Sequence, residues 1–239
     1  MKILAIDTAT EACSAALYIE DKASNNSITS QYQLAPREHS RLILKMIDDL
    51  LVQAELTVSD VDAIAFGCGP GSFMGLRIAA GVVQGIAFAH DMPVIPVSTL
   101  KAIAQRAYEQ TENKNILVAI DARMDEVYWA KYSLQDNGWL LEGEEQVVSP
   151  DKLDLAELHS EPARIWAGAG TGWASYADRL LSDSGLTLQA RLDECFPSAE
   201  VIAKLAIDEL RDGNTVPAAQ AIPVYLRNDV ARKPKPVVL

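Results

Sequence analysis

The predicted order of strands and helices occurs twice along this chain, and the repeat constrains its fold more than any single motif. Short apolar or alternating runs indicate strands, and apolar residues spaced three or four apart indicate helices. In the first half the pattern predicts three strands, then helix, strand, helix, strand and helix, at 1–6, 13–20, 27–34, 37–54, 61–67, 72–90, 92–97 and 98–110. A polar break at 111–115 follows, after which strands begin again.

The second half matches the first closely enough to indicate a duplication. Its strands and helices are predicted at 116–120, 126–133, 144–148, 150–158, 163–167, 173–181 and 198–211. Ile6-Asp7 and Ile120-Asp121 open stretches of equal length that end on Tyr18 and Tyr132. We therefore expect an α/β protein with two duplicated lobes, each a mixed sheet flanked by helices, and a cleft between the lobes.

Length and composition fit two lobes of this kind. The chain has 239 residues, of which 49% are hydrophobic, which is enough to bury two cores. We place the first lobe at 1–110 and the second at 111–214. The remaining segment, 215–239, is expected to pack back on the first lobe.

Charge and cysteine content indicate which ligands the protein can bind and in which cellular compartment it works. The 33 acidic and 21 basic residues give a formal net charge of −12, which repels nucleic-acid phosphates and anionic lipids. Cys13, Cys68 and Cys195 form no close pair, as expected for reduced thiols. No signal-peptide core precedes Asp7. We expect a cytoplasmic protein without membrane association, and nucleic acid bound at most indirectly.

A glycine-rich block joins a predicted strand to the helix that follows it. The block reads Gly67-Cys68-Gly69-Pro70-Gly71-Ser72-Phe73-Met74-Gly75. Glycines at a helix start let backbone N–H groups approach a phosphate. Alternatively, they form a tight turn whose small residues let the helix pack on the sheet. The acid that a dinucleotide site places at the end of the next strand is missing, because Val97 and Ser98 stand there.

Other turns are candidates for contacting a nucleotide. Asp7-Thr8-Ala9-Thr10 follows the first strand, Asp121 holds the matching place in the second lobe, and 168–172 reads Gly-Ala-Gly-Thr-Gly. Ala9 and the bulky residues after Asp121 depart from the small residues that a phosphate-gripping turn needs. An ordinary strand-to-helix turn is the alternative for 168–172. The residues of this vestigial nucleotide site would be Asp7, Thr8, Gly69, Gly71, Asp121, Gly168 and Gly170.

The sequence predicts neither catalytic residues nor a metal site or cofactor. His39, His90 and His159 are too far apart for two of them to share a helix face. Ser72 lies in Gly-Ser-Phe-Met-Gly, which is not the Gly-x-Ser-x-Gly of a nucleophile elbow. The alternative function is a free-standing peptidase, or a nucleotide-dependent enzyme that uses the cleft between the lobes.

Two helices carry more apolar surface than a sheet can cover. Helix 37–54 is apolar over more than the stripe of about 100° that one core contact uses, and helix 72–90 has Arg77 as its one charged residue. The flanking strands favour a crossover helix over a membrane span for 72–90. Either neighbouring elements or a partner protein must cover the rest. The expected partner interface comprises His39, Leu42, Ile43, Met46, Ile47, Leu50, Arg77, Ile78, Val82, Val83 and Ile86.

Motifs along the whole chain resemble those of the TsaB (YeaZ) family. They are Asp7-Thr8, His39-Ser40, Gly69-Pro70-Gly71-Ser72-Phe73 with Gly75-Leu76-Arg77-Ile78, Val97-Ser98-Thr99-Leu100, Asp121-Ala122-Arg123 with Glu126-Val127-Tyr128, and Pro223-Val224-Tyr225-Leu226-Arg227. The resemblance implies the actin-like ATPase (ASKHA) fold. It also implies a role in forming threonylcarbamoyladenosine next to the anticodon of tRNAs that read codons beginning with adenine.

The resemblance further implies partners and a loss of chemistry. The family is similar to TsaD, which transfers the threonylcarbamoyl group to tRNA and carries a His-x-x-x-His metal pair. Thr99 and Ile103 stand at those two places here, and neither side chain ligates iron or zinc well. A noncatalytic scaffold and activator that binds TsaD as a heterodimer is therefore expected. The ATPase TsaE would join a larger assembly, and a homodimer would form when TsaD is absent.

The resemblance places tRNA mainly on other subunits, in keeping with the acidic net charge. The basic residues of the C-terminal tail either approach tRNA within an assembly or form a solvated terminus. They are Arg227, Arg232, Lys233 and Lys235.

Overall fold

Two sheets form the centre of the protein. The computed structural model describes residues 1–20, 26–159, 164–182 and 184–227. The first sheet comprises β1 (Lys2–Asp7), β2 (Ala12–Ile19), β3 (Ser27–Leu34), β4 (Ala63–Gly69) and β5 (Val94–Ser98). Its strand order is β3-β2-β1-β4-β5, with β1 antiparallel to β2 and parallel to β4.

The second sheet repeats this arrangement. It comprises β6 (Asn115–Asp121), β7 (Val127–Gln135), β8 (Gly138–Leu141), β9 (Gln146–Val148), β10 (Ala167–Ala169) and β11 (Ala190–Leu192). The order is β11-β10-β6-β7-β8, with β9 also paired to β7. Again the first strand, β6, is antiparallel to its successor and parallel to β10. The predicted α/β fold with two duplicated lobes is confirmed.

Six α-helices cover the sheets. They are α1 (His39–Gln53), α2 (Phe73–His90), α3 (Thr99–Thr111), α4 (Ala156–His159), α5 (Thr171–Leu180) and α6 (Ala199–Arg211) in the described residues. Helices α1 and α2 cover one face of the first sheet, and α5 packs on the second sheet. The other face of each sheet is covered by a helix from the other half of the chain, an exchange of helices between the lobes. Helix α6, which follows the second sheet in sequence, packs on the first sheet, and α3, which follows the first sheet, packs on the second. The lobe limits at 110 and 214 stay a prediction, and packing crosses them through this exchange.

Local sequence accounts for the main strands and helix starts. In β1, Leu4 and Ile6 face α1 and α2, while Ile3 and Ala5 face α6. Both faces are buried, so the strand is a continuous apolar run. Three helices begin directly after a serine whose hydroxyl accepts a backbone N–H of the first turn, as N-cap residues do. These serines are Ser72, Ser98 and Ser198.

Several predicted elements differ in the structure. Helix α1 begins at His39 rather than at 37, because Arg37 has a left-handed φ of 69°. The predicted helix at 150–158 is a 3₁₀ turn, Pro150–Lys152, followed by the short α4. The strand predicted at 163–167 lies at Ala167–Ala169, and residue 163 falls outside the described residues. Strands β8 and β11 are too short to show a sequence pattern.

The two halves of the repeat differ by one residue in the turn between their first two strands, β1–β2 and β6–β7. Asp7 pairs with Ser14, seven positions later, but Asp121 pairs with Val127, six positions later. The turn between β6 and β7 is therefore one residue shorter. The equivalence of Tyr18 and Tyr132, which rests on a constant offset, is wrong.

The C-terminal segment lies against the first lobe from Val216 to Val224. Val216 exchanges backbone hydrogen bonds with Val94 of β5, and the Val224 N–H donates to the Cys68 carbonyl at 2.7 Å. The side-chain amide of Gln84 donates to the Ala221 carbonyl at 3.0 Å. Residues 228–239, which include the basic Arg232, Lys233 and Lys235, lie outside the described residues.

Candidate partner interface and vestigial nucleotide site

One face of α2 is apolar and exposed. The opposite face packs on β4 and α1 through Leu76, Ala79, Ala80, Val83 and Ala87. The outward residues recur at spacings of four and three, which places them along one line of the helix. We call them the α2 stripe: Met74, Ile78, Gly81, Gly85 and Phe88. Phe88 is 84% exposed and Met74 63%, so the two ends of the stripe face solvent.

The two glycines of the stripe are not required by the chain's own packing. A Cβ added at Gly81 or Gly85 would meet no atom within 4 Å. Glycine inside a helix costs about 1 kcal/mol relative to alanine. Without a Cβ, however, it allows another backbone to approach closely. The pair therefore suits docking of a second helix better than it suits the stability of the isolated chain.

The outward face of α1 differs from the α2 stripe. Leu44 and Val52 are exposed there, but Lys45 and Asp49 form an ion pair at 2.7 Å on the same helix. By length and composition, α2 is the one described helix that could cross a membrane. In the structure, α2 lies along β4 and beside α1 as a crossover helix between β4 and β5.

The structure divides the predicted interface residues into two groups. Six are buried inside the first lobe, namely His39, Ile43, Met46, Ile47, Leu50 and Val83. The other five lie at the surface or half-buried, namely Leu42, Arg77, Ile78, Val82 and Ile86. A partner can reach only the second group here. Met74 and Phe88 were missed, because α2 is apolar almost all round and its sequence does not show which face points outward.

His39 has a partner within the chain. Its Nε2 lies 3.2 Å from the Ala12 carbonyl oxygen, and the residue is buried at the start of α1. This contact ties the helix to β2. The side chain therefore has a structural role in the lobe.

The turn after β1 is sealed by the glycine block. Thr8 Oγ1 donates to the Gly75 carbonyl at 2.7 Å, and the Ser72 N–H donates to the Ala9 carbonyl at 2.7 Å. A Cβ at Gly75 would lie 1.9 Å from the Thr8 carbonyl oxygen, and one at Gly71 would lie 2.4 Å from that of Ala9. These contacts support the tight-turn interpretation, because the glycines let α2 start directly against the turn.

Asp7 is buried within this sealed turn. Its Oδ1 accepts the Ala9 N–H at 3.1 Å, while Oδ2 has no hydrogen-bond partner among the described residues. Burial raises the pKa of this carboxyl to about 7, although the bond from Ala9 acts in the opposite direction. A carboxyl group without solvent contact cannot serve an incoming metal or phosphate unless the turn opens.

The matching turn of the second lobe is held by other side chains. Asp121 Oδ1 accepts the Arg123 N–H at 2.8 Å, and its Oδ2 pairs with the Arg123 guanidinium at 3.1 Å. The same guanidinium lies 3.6 Å from Glu11, which belongs to the first turn. The two turns therefore face each other across the lobes.

Glycines of the third candidate loop also serve packing. A Cβ at Gly168 would lie 2.7 Å from the Trp173 ring, and one at Gly170 would lie 2.3 Å from the Ala119 carbonyl oxygen. Thr99 and Ile103 are fully buried in α3. The described residues contain no group of three His, Cys, Asp or Glu side chains placed to hold a metal ion.

Comparison with known proteins decides the family. The family model described as "TsaD: tRNA N6-adenosine threonylcarbamoyltransferase" matches residues 22–222. A protein of Escherichia coli (strain K12) is named tRNA threonylcarbamoyladenosine biosynthesis protein TsaB. It is 42% identical over 239 residues, which cover 99% of each chain. The chain belongs to the TsaB family.

Further matches agree with the TsaB family. A TsaB protein of Haemophilus influenzae is 41% identical and covers 99% of this chain, with 98% of its own length matched. The solved structure of YeaZ from Pseudomonas aeruginosa has a TM-score of 0.83 at 44% identity, covering 94% of this chain and 99% of that chain. These matches confirm the family and the actin-like ATPase class of fold.

Proposed function

We propose that this chain is a noncatalytic subunit in the biosynthesis of threonylcarbamoyladenosine, next to the anticodon of tRNAs that read codons beginning with adenine. It acts as a scaffold and activator of TsaD. The names of its TsaB relatives supply the pathway. The α2 stripe is the observation that carries the role, because it is an exposed apolar surface on an otherwise well-packed lobe. The cytoplasmic location stays a prediction.

The vestigial nucleotide site supports a noncatalytic role. Asp7 and Thr8 lie under the start of α2, and the glycines at 168 and 170 are used for packing against neighbouring elements. Thr99 and Ile103 occupy the places of the metal pair expected in TsaD, and both are fully buried. A cofactor is therefore not part of the proposal.

TsaD docks on the α2 stripe through a helix of its own. Gly81 and Gly85 let the two backbones approach, while Met74 and Phe88 anchor the ends of the contact. A standard interface buries about 800 Å² on each partner, so we expect the half-buried residues beside the stripe, Val82 and Ile86, to join the contact. When TsaD is absent, a second copy of this chain occupies the same surface. TsaE joins the larger assembly, and tRNA binds mainly to the other subunits.

A charge on the stripe tests this docking surface. Phe88→Glu should raise the Kd for TsaD about 30-fold or more, as expected for an interface anchor. The monomer should keep its stability, because Phe88 is 84% exposed. Ile165→Glu is the matched control, since Ile165 is 55% exposed on the second lobe. A charge at Met46 would not separate docking from folding, because Met46 is buried in the core.

The stripe glycines give a second, independent test. The double variant Gly81→Ala and Gly85→Ala should be more stable than the parent chain. Its free energy of unfolding in urea should rise by up to about 1 kcal/mol per site. It should nevertheless bind TsaD more weakly, since each added methyl keeps the partner helix away. Unchanged TsaD binding by this variant and by Phe88→Glu would overturn the proposed surface.

The alternative is a free-standing peptidase or a nucleotide-dependent enzyme. One solved structure from Pseudomonas aeruginosa is described as an uncharacterized protein with similarity to peptidase YeaZ, and it is 45% identical with a TM-score of 0.84. It covers 95% of this chain and 99% of that chain. Incubation of the purified chain with peptides, or with ATP and magnesium, distinguishes the two cases. Turnover by the chain alone would overturn the noncatalytic role.

A further inference from the structure

Residues 221–227, which we call the C-terminal strap, run from the first lobe to the second. On the first lobe, the ring of Tyr225 packs against Phe73 with centroids 5.5 Å apart. Its hydroxyl accepts a hydrogen bond from Arg77 Nε at 3.2 Å. Together with the backbone bond from Val224 to β4, these contacts anchor the strap beside the start of α2.

The strap ends on the second lobe in a clamp made by Arg227. Its guanidinium donates to the carbonyl oxygens of Ala122 at 3.0 Å and Arg123 at 3.4 Å. It also pairs with the carboxylate of Glu126. The side chain is only 15% exposed, so the charge is held by the turn between β6 and β7 rather than by solvent.

The clamped turn has an unfavourable backbone. Arg123, Met124 and Asp125 have φ values of 61°, 59° and 59°, in the left-handed region that side chains with a Cβ disfavour. No other three consecutive non-glycine residues in the described part of the chain share this conformation. Such a conformation persists only where its surroundings hold it. Arg227 contributes to that hold from about 100 residues away in sequence. Within the second lobe, Asp121 Oδ1 accepts the Arg123 N–H, and Arg179 lies 3.6 Å from Asp125.

We propose that the C-terminal strap is an interlobe latch. Arg227 holds the Ala122–Glu126 turn in its left-handed conformation, and Tyr225 fixes that arginine relative to the first lobe. The other tie between the facing turns, Arg123 to Glu11, is largely exposed and correspondingly weak. The strap therefore sets the spacing of the two lobes where their turns meet.

The latch also borders the α2 stripe. Phe73 directly precedes Met74, the first residue of the stripe, and Arg77 directly precedes Ile78. A protein docked on the stripe would touch the anchor of the strap. This link to a partner rests on the proposed function, whereas the latch itself is a property of the isolated chain.

Hydrogen exchange of the isolated chain tests the latch. Backbone hydrogen bonds protect Ala122 and Glu126 in the clamped turn. Arg227→Ala should make the amides of Ala122 and Glu126 exchange about tenfold faster or more, because a charged hydrogen-bonding partner is lost. Arg227→Lys should give an intermediate rate, since an ammonium group keeps the charge but lacks the planar fork. Arg191→Ala, which removes a surface arginine paired with Asp193, is the matched control.

Tyr225→Ala separates a latch from a local clamp. Tyr225 anchors the strap on the first lobe, and an effect on the second turn must pass through the strap. We expect the amides of Ala122 and Glu126 to exchange about threefold faster in this variant. The latch is wrong if Arg227→Ala behaves like Arg191→Ala, or if Tyr225→Ala leaves the turn unchanged. If Arg227→Ala does not fold, Arg227→Lys and Tyr225→Ala decide by the same criterion. TsaD plays no part, so the outcome is separate from that of the proposed function.

Discussion

Each lobe has an aspartate at the end of its first strand, Asp7 in β1 and Asp121 in β6, but the two carboxyl groups differ in burial and in their partners. Asp7 is fully buried beneath the start of α2, with one carboxyl oxygen unpartnered among the described residues. Asp121 is partly exposed and bound to Arg123. The first turn is closed by backbone packing against glycines, whereas the second is held by arginine side chains. The duplication thus repeats strand pairing but not the chemistry of the turns, as expected when sites are built separately on a shared fold.

The largest effect is expected where the first turn is sealed. Gly75→Ala places a methyl group 1.9 Å from the Thr8 carbonyl oxygen, so α2 must move away from the turn. The free energy of unfolding should fall by about 3 kcal/mol or more in urea denaturation. Gly81→Ala, in the same helix but with open space around it, should stabilise by up to about 1 kcal/mol. Equal effects of the two variants would refute the sealed turn.

A pH-dependent effect is expected at Asp7. Its pKa of about 7 in the folded chain lies above the ordinary value of 3.8, so the folded state binds this proton more tightly. Stability from the protonated group is complete below about pH 4 and is lost as the pH rises through 7. Asp7→Asn removes the titration. From pH 5 to pH 8, the unfolding free energy of the parent chain should therefore fall by about 2.5 kcal/mol relative to that of Asp7→Asn.

The control for this prediction is the parent chain at the two pH values. The predicted quantity is the change, from pH 5 to pH 8, in the difference between the unfolding free energies of parent and variant. The cost of burying the amide that the variant introduces is the same at both pH values and therefore cancels. A gap between parent and Asp7→Asn that stays constant from pH 5 to pH 8 would show that Asp7 is ionised and accommodated in the folded state.

The smallest effect is expected at the second aspartate. Asp121→Asn loses an ion pair whose arginine is 75% exposed, and such pairs contribute at most about 1 kcal/mol. The unfolding free energy should therefore change by less than about 1 kcal/mol at both pH 5 and pH 8. Thermal melts of the two aspartate variants side by side measure the contrast. If Asp121→Asn reproduces the shift of Asp7→Asn, the two turns are not distinct.

The succession of strands and helices along the chain could be predicted because most central strands are buried on both faces. Strands such as Lys2–Asp7 are continuous apolar runs, and serines at 72, 98 and 198 mark the helix starts. The outward face of α2 could not be predicted, because small apolar residues lie on all its sides. Burial of Met46 and Ile47 depends on how α1 meets β2, which the spacing of apolar residues alone does not reveal.

The contact between the strap and the clamped turn of the second lobe could not be predicted from sequence patterns. Arg227 meets Ala122 across about 100 residues, and no periodicity links them. The one signal was the motif Pro223-Val224-Tyr225-Leu226-Arg227, which marks family resemblance without showing a contact. Residues 123–125 include no glycine or asparagine, the residues that would most clearly have predicted a left-handed conformation from the sequence.

Reconstituted tRNA modification tests the central claim most directly. TsaD, TsaE and the enzyme that supplies the threonylcarbamoyl donor are combined with a tRNA that reads a codon beginning with adenine, with and without this chain. Threonylcarbamoyladenosine should form efficiently only when the chain is present, should fall with Phe88→Glu, and should never form with the chain alone. Full modification in its absence, or by the chain by itself, would contradict the account.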